Sequence, residues 1–268
     1  MKKVKIVLLI FISLFLTLFF SSYQRITGPT YPYKVKMKFL EKEFSFKLPR
    51  SQNSGENLKI LLPVKESLIK ADLFYQNYSE DGQWERKEFE KTEDGLYAEL
   101  KSLPPAGKYF YYVKFYYLDK SVQIPEKPIS VRFKGKVPTL ILILHIIFIF
   151  SAFFLSIYTG LYTIFFEKKE ALVLATFILT LIGAGLLGPV VQKYAFGEFW
   201  TGFPFGKDLT DNKGLIMIIF WAIAWIQIRR GKGKEWVLLA FFISILVFFI
   251  PHSLWGSELK GGVIKTGP

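Results

Sequence analysis

Cysteine is absent from the 268 residues, which excludes disulfides, thiolate metal sites, iron–sulfur clusters, cysteine nucleophiles and covalent c-type haem attachment. The chain also lacks a glycine-rich phosphate loop running into a lysine, a paired-histidine metalloprotease helix and a G-x-S-x-G elbow. The usual nucleotide and hydrolase chemistries are therefore closed. Histidine is nearly missing, with His145 and His252 the only two. Charge is missing from the interiors of the apolar blocks 4–20, 138–166, 171–191, 214–228 and 236–250, so no ion route is marked inside them.

What is present is apolar and aromatic surface, 51% and 18% of the residues, which is the composition of a membrane protein. A hydrocarbon core needs about 20 helical residues. The five blocks meet this, the last two by borrowing turns from their flanks. The net charge of +13 is spread through strand-like segments or sits beside apolar blocks. Lipid headgroups and topology account for it, and no nucleic-acid partner is implied.

The first block follows MKKVK and exits through FFSSYQR without a small-x-small cleavage site, which favours a retained N-terminal anchor over a signal segment in residues 1–22. Lys2, Lys3 and Lys5 keep its start cytoplasmic. The short connections FEKKE (Phe166 to Glu170) and RRGKGKEW (Arg229 to Trp236) carry the cations expected of cytoplasmic loops. Residues 23–136, the loop 192–213 and the C-terminus are then extracytoplasmic, on a bacterial inner membrane.

Between the first two blocks the apolar period changes to two. Tyr33–Phe39, Glu43–Leu48, Asn57–Leu62, Ile69–Gln76, Trp84–Glu90, Leu96–Leu100, Lys108–Leu118 and Ile129–Lys134 read as strands separated by turn signals such as SEDGQ and LPPAGK. About eight strands in roughly 110 residues predict a sandwich. The stretches KADLFYQ and GLYAELKSLPPAGKYFYYVKF resemble the later strands of immunoglobulin-like or fibronectin-like modules. The expected architecture is mixed: an extracytoplasmic immunoglobulin-like β-sandwich (23–136), four further transmembrane helices (137–255) and an external tail (256–268). The alternating aromatics of the sandwich are read as packing, and no site is assigned there.

Both histidines fall in membrane segments. His145 follows Pro138 by seven residues, roughly 10 Å below the outer end of its helix at about 1.5 Å per residue, and His252 follows Pro251 at the outward end of the last helix. Two imidazoles at similar depth suit a haem b or a divalent metal; the alternatives are proton chemistry, or hydrogen bonds to neighbouring helices. At the same level the external loop supplies Trp200, Asp208, Asp211, Asn212 and Lys213, and the tail supplies Ser253, Ser257 and Glu258. Asp208 and Asp211 also have the spacing of a helix cap with a reciprocal acidic partner. Gly202 and Gly206 allow the loop to fold back as a lid over the histidines, with Trp200, Phe203 and Phe205 wedged at the interface. The run GAGLLGP, Gly183 to Pro189, predicts a kinked and closely packed third helix.

The run GPVVQKYAFGEFWTGFPFGKDLTDNK, with RFKGKVP before the second helix and IPHSLWGSEL after the fifth, resembles a group of uncharacterised bacterial inner-membrane proteins across residues 131–259. That resemblance implies no activity. Three readings stand at this point. One is a redox protein binding haem or metal through His145 and His252. A second is a non-catalytic scaffold or accessory subunit whose sandwich and aromatic loop dock an envelope protein. The third is an enzyme acting on headgroups through Asp208, Asp211, Glu258 and His252. The expected partners are the lipid bilayer and a membrane or envelope protein, and a homo-oligomer would enlarge any pathway through so few helices.

Overall fold

In the computed structural model, which describes residues 2–40, 42–80 and 82–266, long helices form where the apolar blocks lie and strands where the period is two. The helices are α1 (Lys2–Ile26), α2 (Thr139–Phe165), α3 (Glu170–Thr180), α4 (Gly188–Phe196), α5 (Leu209–Arg229) and α6 (Lys234–Phe249). A π-helical segment, Leu181–Leu187, makes α3 and α4 one continuous span. Among the described residues four spans are long and apolar enough to cross a membrane: α1, α2, Glu170–Phe196 and α5. α6 differs from expectation, because its 16 residues reach only about 24 Å against a core of about 30 Å.

The π segment has a local cause. Pro189 has no N–H and its ring would strike the carbonyl four residues back in a regular α-helix. Widening the preceding turn relieves that conflict, and the Gly188 N–H then bonds the Gly183 carbonyl five residues back. Gly183 also sits against α2: a Cβ there would lie 2.9 Å from the Ile149 backbone nitrogen. Elsewhere the bundle closes on aromatic contacts, with Phe153 stacked on Phe248 at 3.5 Å and Phe20 edge-on to Phe249 at 4.8 Å. Buried hydroxyls act as polar links between helices. Trp221 Nε1 donates to Ser244 Oγ at 2.9 Å, and Thr159 and Thr176 share a bond of 3.1 Å.

Among the described residues the β region has ten strands between the first two spans: β1 (Tyr33–Phe39), β2 (Lys42–Leu48), β3 (Ser51–Asn53), β4 (Leu58–Leu62), β5 (Lys70–Asn77), β6 (Trp84–Glu88), β7 (Glu90–Thr92), β8 (Gly95–Leu100), β9 (Lys108–Tyr117) and β10 (Lys120–Lys134). β1 and β2 form a hairpin, β4, β8 and β7 a three-stranded sheet, and β3, β10, β9, β5 and β6 a five-stranded sheet in that order. One hydrophobic core joins them, since Val35, Phe46, Leu58, Leu73, Leu96, Val113 and Phe133 belong to a single cluster. In β9 the alternation is plain: Tyr109, Tyr111, Val113 and Phe115 are buried while their neighbours are half-covered. Tyr111 is fully buried because its hydroxyl has a partner, the Pro49 carbonyl at 2.6 Å.

Three strands depart from the sequence reading, the first being the expected Trp84–Glu90, which is divided between β6 and β7 in different sheets. β3 lies in SQNSGEN, where the turn residues mask a short parallel pairing of Gln52 with Phe133. β10 begins nine residues before the expected Ile129 because Pro125 and Pro128 read as breakers; the ladder to β9 skips from Ile124 to Ile129, and the prolines occupy the irregularity. The tail is also ordered, as a hairpin of β11 (Glu258–Lys260) and β12 (Val263–Lys265). It docks on the β region through Leu259 N to Ala106 O at 2.9 Å and Gly261 N to Ser79 O at 3.0 Å.

Gly160 on α2 faces α6 so closely that a Cβ would lie 2.2 Å from Phe241 Cγ. Gly160→Leu is expected to destabilise the bundle by about 1–3 kcal/mol through overpacking, measured as a lower Tm in detergent. Leu140→Ala, at an exposed position of α2, should leave the Tm unchanged.

Candidate functional site

The groups singled out in the sequence gather at the end of the bundle that meets the β region. Asp208 is the N-cap of α5, its Oδ1 accepting from the Thr210 N–H at 2.8 Å. Its other oxygen faces inward and is nearly inaccessible. Oδ2 accepts the Ser257 N–H at 3.0 Å and lies 3.4 Å from Gln192 Nε2, with the Thr201 and Ser257 hydroxyls at 3.2 and 3.3 Å. Gln192 also donates to both hydroxyls at 2.8 Å. One carboxylate thus draws α4, the loop, α5 and the tail to a single point.

Asp211 does not act as the reciprocal capping partner. Its Oδ2 accepts the Thr201 N–H at 2.7 Å, while the Asp208 N–H donates to the Thr201 carbonyl at 3.0 Å. The reason is the folded-back loop, which brings Thr201 to the first turn of α5 before the cap could close on itself. Asn212 takes the next loop donor, the Phe203 N–H, at 2.7 Å. Trp200 Nε1 donates to the Phe203 carbonyl at 3.0 Å, closing the loop internally. Close packing makes Gly206 necessary, because a Cβ there would lie 2.3 Å from the Thr201 carbonyl oxygen.

The loop therefore folds back as its glycines suggest, but onto α5 and the tail. Among the described residues its hydrogen bonds run to Asp208, Asp211, Asn212, Gln192, Ser257 and Thr266, and none runs to His145 or His252. Lys213 also supports the backbone. With Gln24 it donates to the Ile250 carbonyl, at 3.0 and 3.2 Å, satisfying an orphan acceptor at the end of α6. Glu258 stands apart from the two aspartates and is paired with Lys108 of β9. Ser253 has a left-handed backbone, φ 62°, and lines a cavity beside Glu258. The serine inside the cluster is Ser257.

His145 Nδ1 lies 3.0 Å from the Gly183 carbonyl. A carbonyl only accepts, so Nδ1 carries the proton and Nε2 presents a lone pair. His252 is exposed, and its backbone N–H reaches the Gln24 carbonyl at 3.4 Å. Among the described residues no group of three or more His, Cys, Asp or Glu side chains is placed to hold a metal ion.

Gln192, Thr201, Arg132, Arg50 and Lys108 belong to this region and were not singled out from the sequence. Gln192 left a faint signal, a lone amide inside the apolar exit of the third span. Arg132 left none, because alternation in β10 places it opposite the buried Val131 and Phe133, and it is covered by the docked tail and by Phe196 at the end of α4.

Asp208→Ala removes the cap and leaves the Thr210 and Ser257 N–H groups short of an acceptor, so a loss of about 2–4 kcal/mol is expected. Asp208→Asn keeps the cap and should cost less. Thermal unfolding in detergent checks the order. No family model, curated protein or solved structure matches the chain.

Proposed function

We propose that the protein is a non-catalytic accessory protein of the bacterial inner membrane. In this reading its helices hold an immunoglobulin-like sandwich against the extracytoplasmic face, and the sandwich and the Trp200–Lys213 loop dock an envelope partner. The observation that carries it is the use made of the polar groups. Asp208, Asp211, Asn212 and Lys213 are each engaged in backbone or cluster hydrogen bonds that position the loop. A general acid or base needs an oxygen free to reach substrate. The same bonds leave Phe203 and Phe205 at the loop tip, 68% and 82% exposed. Apolar side chains displayed on a rigid support suit recognition. The orientation rests on the basic residues at the far connections, where Lys168, Lys169, Arg229, Arg230, Lys232 and Lys234 lie.

One observation favours a second reading, a haem- or metal-bearing redox protein. The Nδ1 bond to a backbone carbonyl gives His145 the tautomer that a ligating histidine has. His252 would be its counterpart.

Two measurements separate these readings. Affinity purification from native membranes in mild detergent is expected to retain one dominant partner, and Phe203→Ser with Phe205→Ser should lose it at unchanged Tm. A solitary, monodisperse wild type sinks the accessory reading. A reduced-minus-oxidised spectrum with metal analysis should be blank; a haem band or a stoichiometric metal lost in His145→Ala would establish the redox reading instead.

A further inference from the structure

A second feature lies at the same junction and does not depend on the accessory reading. A cavity of about 320 Å³ opens between the β region, the residues after α1 and the residues after α6. Pro29 and Thr30 line it from one side and Ser253, Leu254 and Trp255 from another. Those segments leave spans that cross the membrane or abut it, so the cavity lies at headgroup level. Its β wall is cationic, carrying Arg50, Lys108 and Arg132, against one acid, Glu258.

The partners of these cations are unequal. Lys108 is paired with Glu258 and also lies over the rings of Tyr78 and Phe110 at 5.2 and 5.5 Å. Arg132 is only 7% exposed, and its Nη1 is buried with no acceptor among the described residues. Its guanidinium has Phe196 beneath it at 5.3 Å, and Gly256 is pressed so close that a Cβ would lie 2.6 Å from Nη1. Arg50 Nε is likewise buried without an acceptor. Asp208 acts on Arg132 through its charge, but its oxygens are filled by the cluster described above.

A buried guanidinium donor without an acceptor is costly, and folded proteins pair such groups almost without exception. Burial holds the pKa of Arg132 below its usual value, against the opposing pull of Glu258 and Asp208, and burial likewise depresses those of Lys108 and Arg50. The wall is thus a desolvated set of cations, of which only Lys108 has an ion-pair partner among the described residues. Two planar guanidinium forks, each with a nitrogen lacking an acceptor among the described residues, match tetrahedral oxyanions, and a site excluded from water strengthens each bond.

We propose that this cavity binds the phosphate group of an anionic ligand, with Arg132 and Arg50 as the donors and Tyr78, Phe110 and Trp255 as the flanking walls. The phosphate of a lipid headgroup and that of a soluble phosphoester offer the same chemistry. The full chain, purified in mild detergent, is tested with two probes: inorganic phosphate by thermal shift, and dioleoyl phosphatidylglycerol by native mass spectrometry, with phosphate-free dioleoylglycerol as the comparator. Binding of at least one phosphate probe is expected, weakened at least about tenfold in Arg50→Gln and in Arg132→Gln. Retention of the phospholipid alone assigns the headgroup, and a response to inorganic phosphate assigns a soluble ligand. Arg50 is only partly buried, so Arg50→Gln decides the matter even where Arg132→Gln fails to fold. Absence of binding to both probes in the wild type overturns the proposal, and so does unchanged binding in Arg50→Gln.

Discussion

A buried carboxylate cannot stand alone, and the arrangement around Asp208 follows from that requirement. Once the residue caps α5, its second oxygen points away from water and must collect donors from wherever the chain can deliver them. Gln192 arrives from the middle of α4, Thr201 from the loop and Ser257 from the tail. These are remote in sequence, and each is held by the others as well as by Asp208. The loop, the tail hairpin and the end of the third span are therefore positioned by one anion.

From that point the order propagates outward. The tail, fixed at Ser257, continues into a hairpin that bonds the β region at Ala106 and Ser79 and pairs Glu258 with Lys108. Gly256 passes over Arg132 where no larger residue fits. On the other side Gly135 donates to the Ala195 carbonyl at 2.8 Å, next to Gln192's own turn. The β region is thus tied to the bundle by the connection into α2 and by the returning tail, and the cationic cavity lies between these ties. Cluster and cavity are neighbours but differ in state. In the cluster the acids have their donors, whereas in the cavity two guanidinium groups keep buried nitrogens without acceptors among the described residues.

Inside the bundle, small residues and hydroxyls do what the bilayer cannot. Lipid supplies no hydrophobic force between helices, so close approach at Gly160 and Gly183 and hydrogen bonds at Thr159, Thr176 and Ser244 carry the contacts. His145 belongs to this layer, reading the carbonyl that the π turn presents. The π turn ahead of Pro189 therefore also presents the carbonyl that the imidazole meets.

Apolar run length and period are local properties, and they suffice to locate the spans, most strands and the cap at Asp208, because helix and strand geometry depends on neighbours a few residues apart. They misjudge Pro125 and Pro128, where an irregular ladder accepts what a regular one rejects, and they overstate α6 by lending it flanking turns. Asp211 shows the limit more sharply: its spacing from Asp208 suggests a capping box, yet a loop folded back by Gly202 and Gly206 offers the Thr201 N–H first. Which polar groups meet is decided by tertiary structure alone. Gln192, Thr201 and Ser257 have no common sequence pattern, and Arg132 looks like an ordinary outward residue of its strand until the tail and Phe196 are laid against it. Burial converts it from a solvated cation into a group in need of an anion, and burial is a property of the packed chain, which no stretch of its sequence possesses by itself.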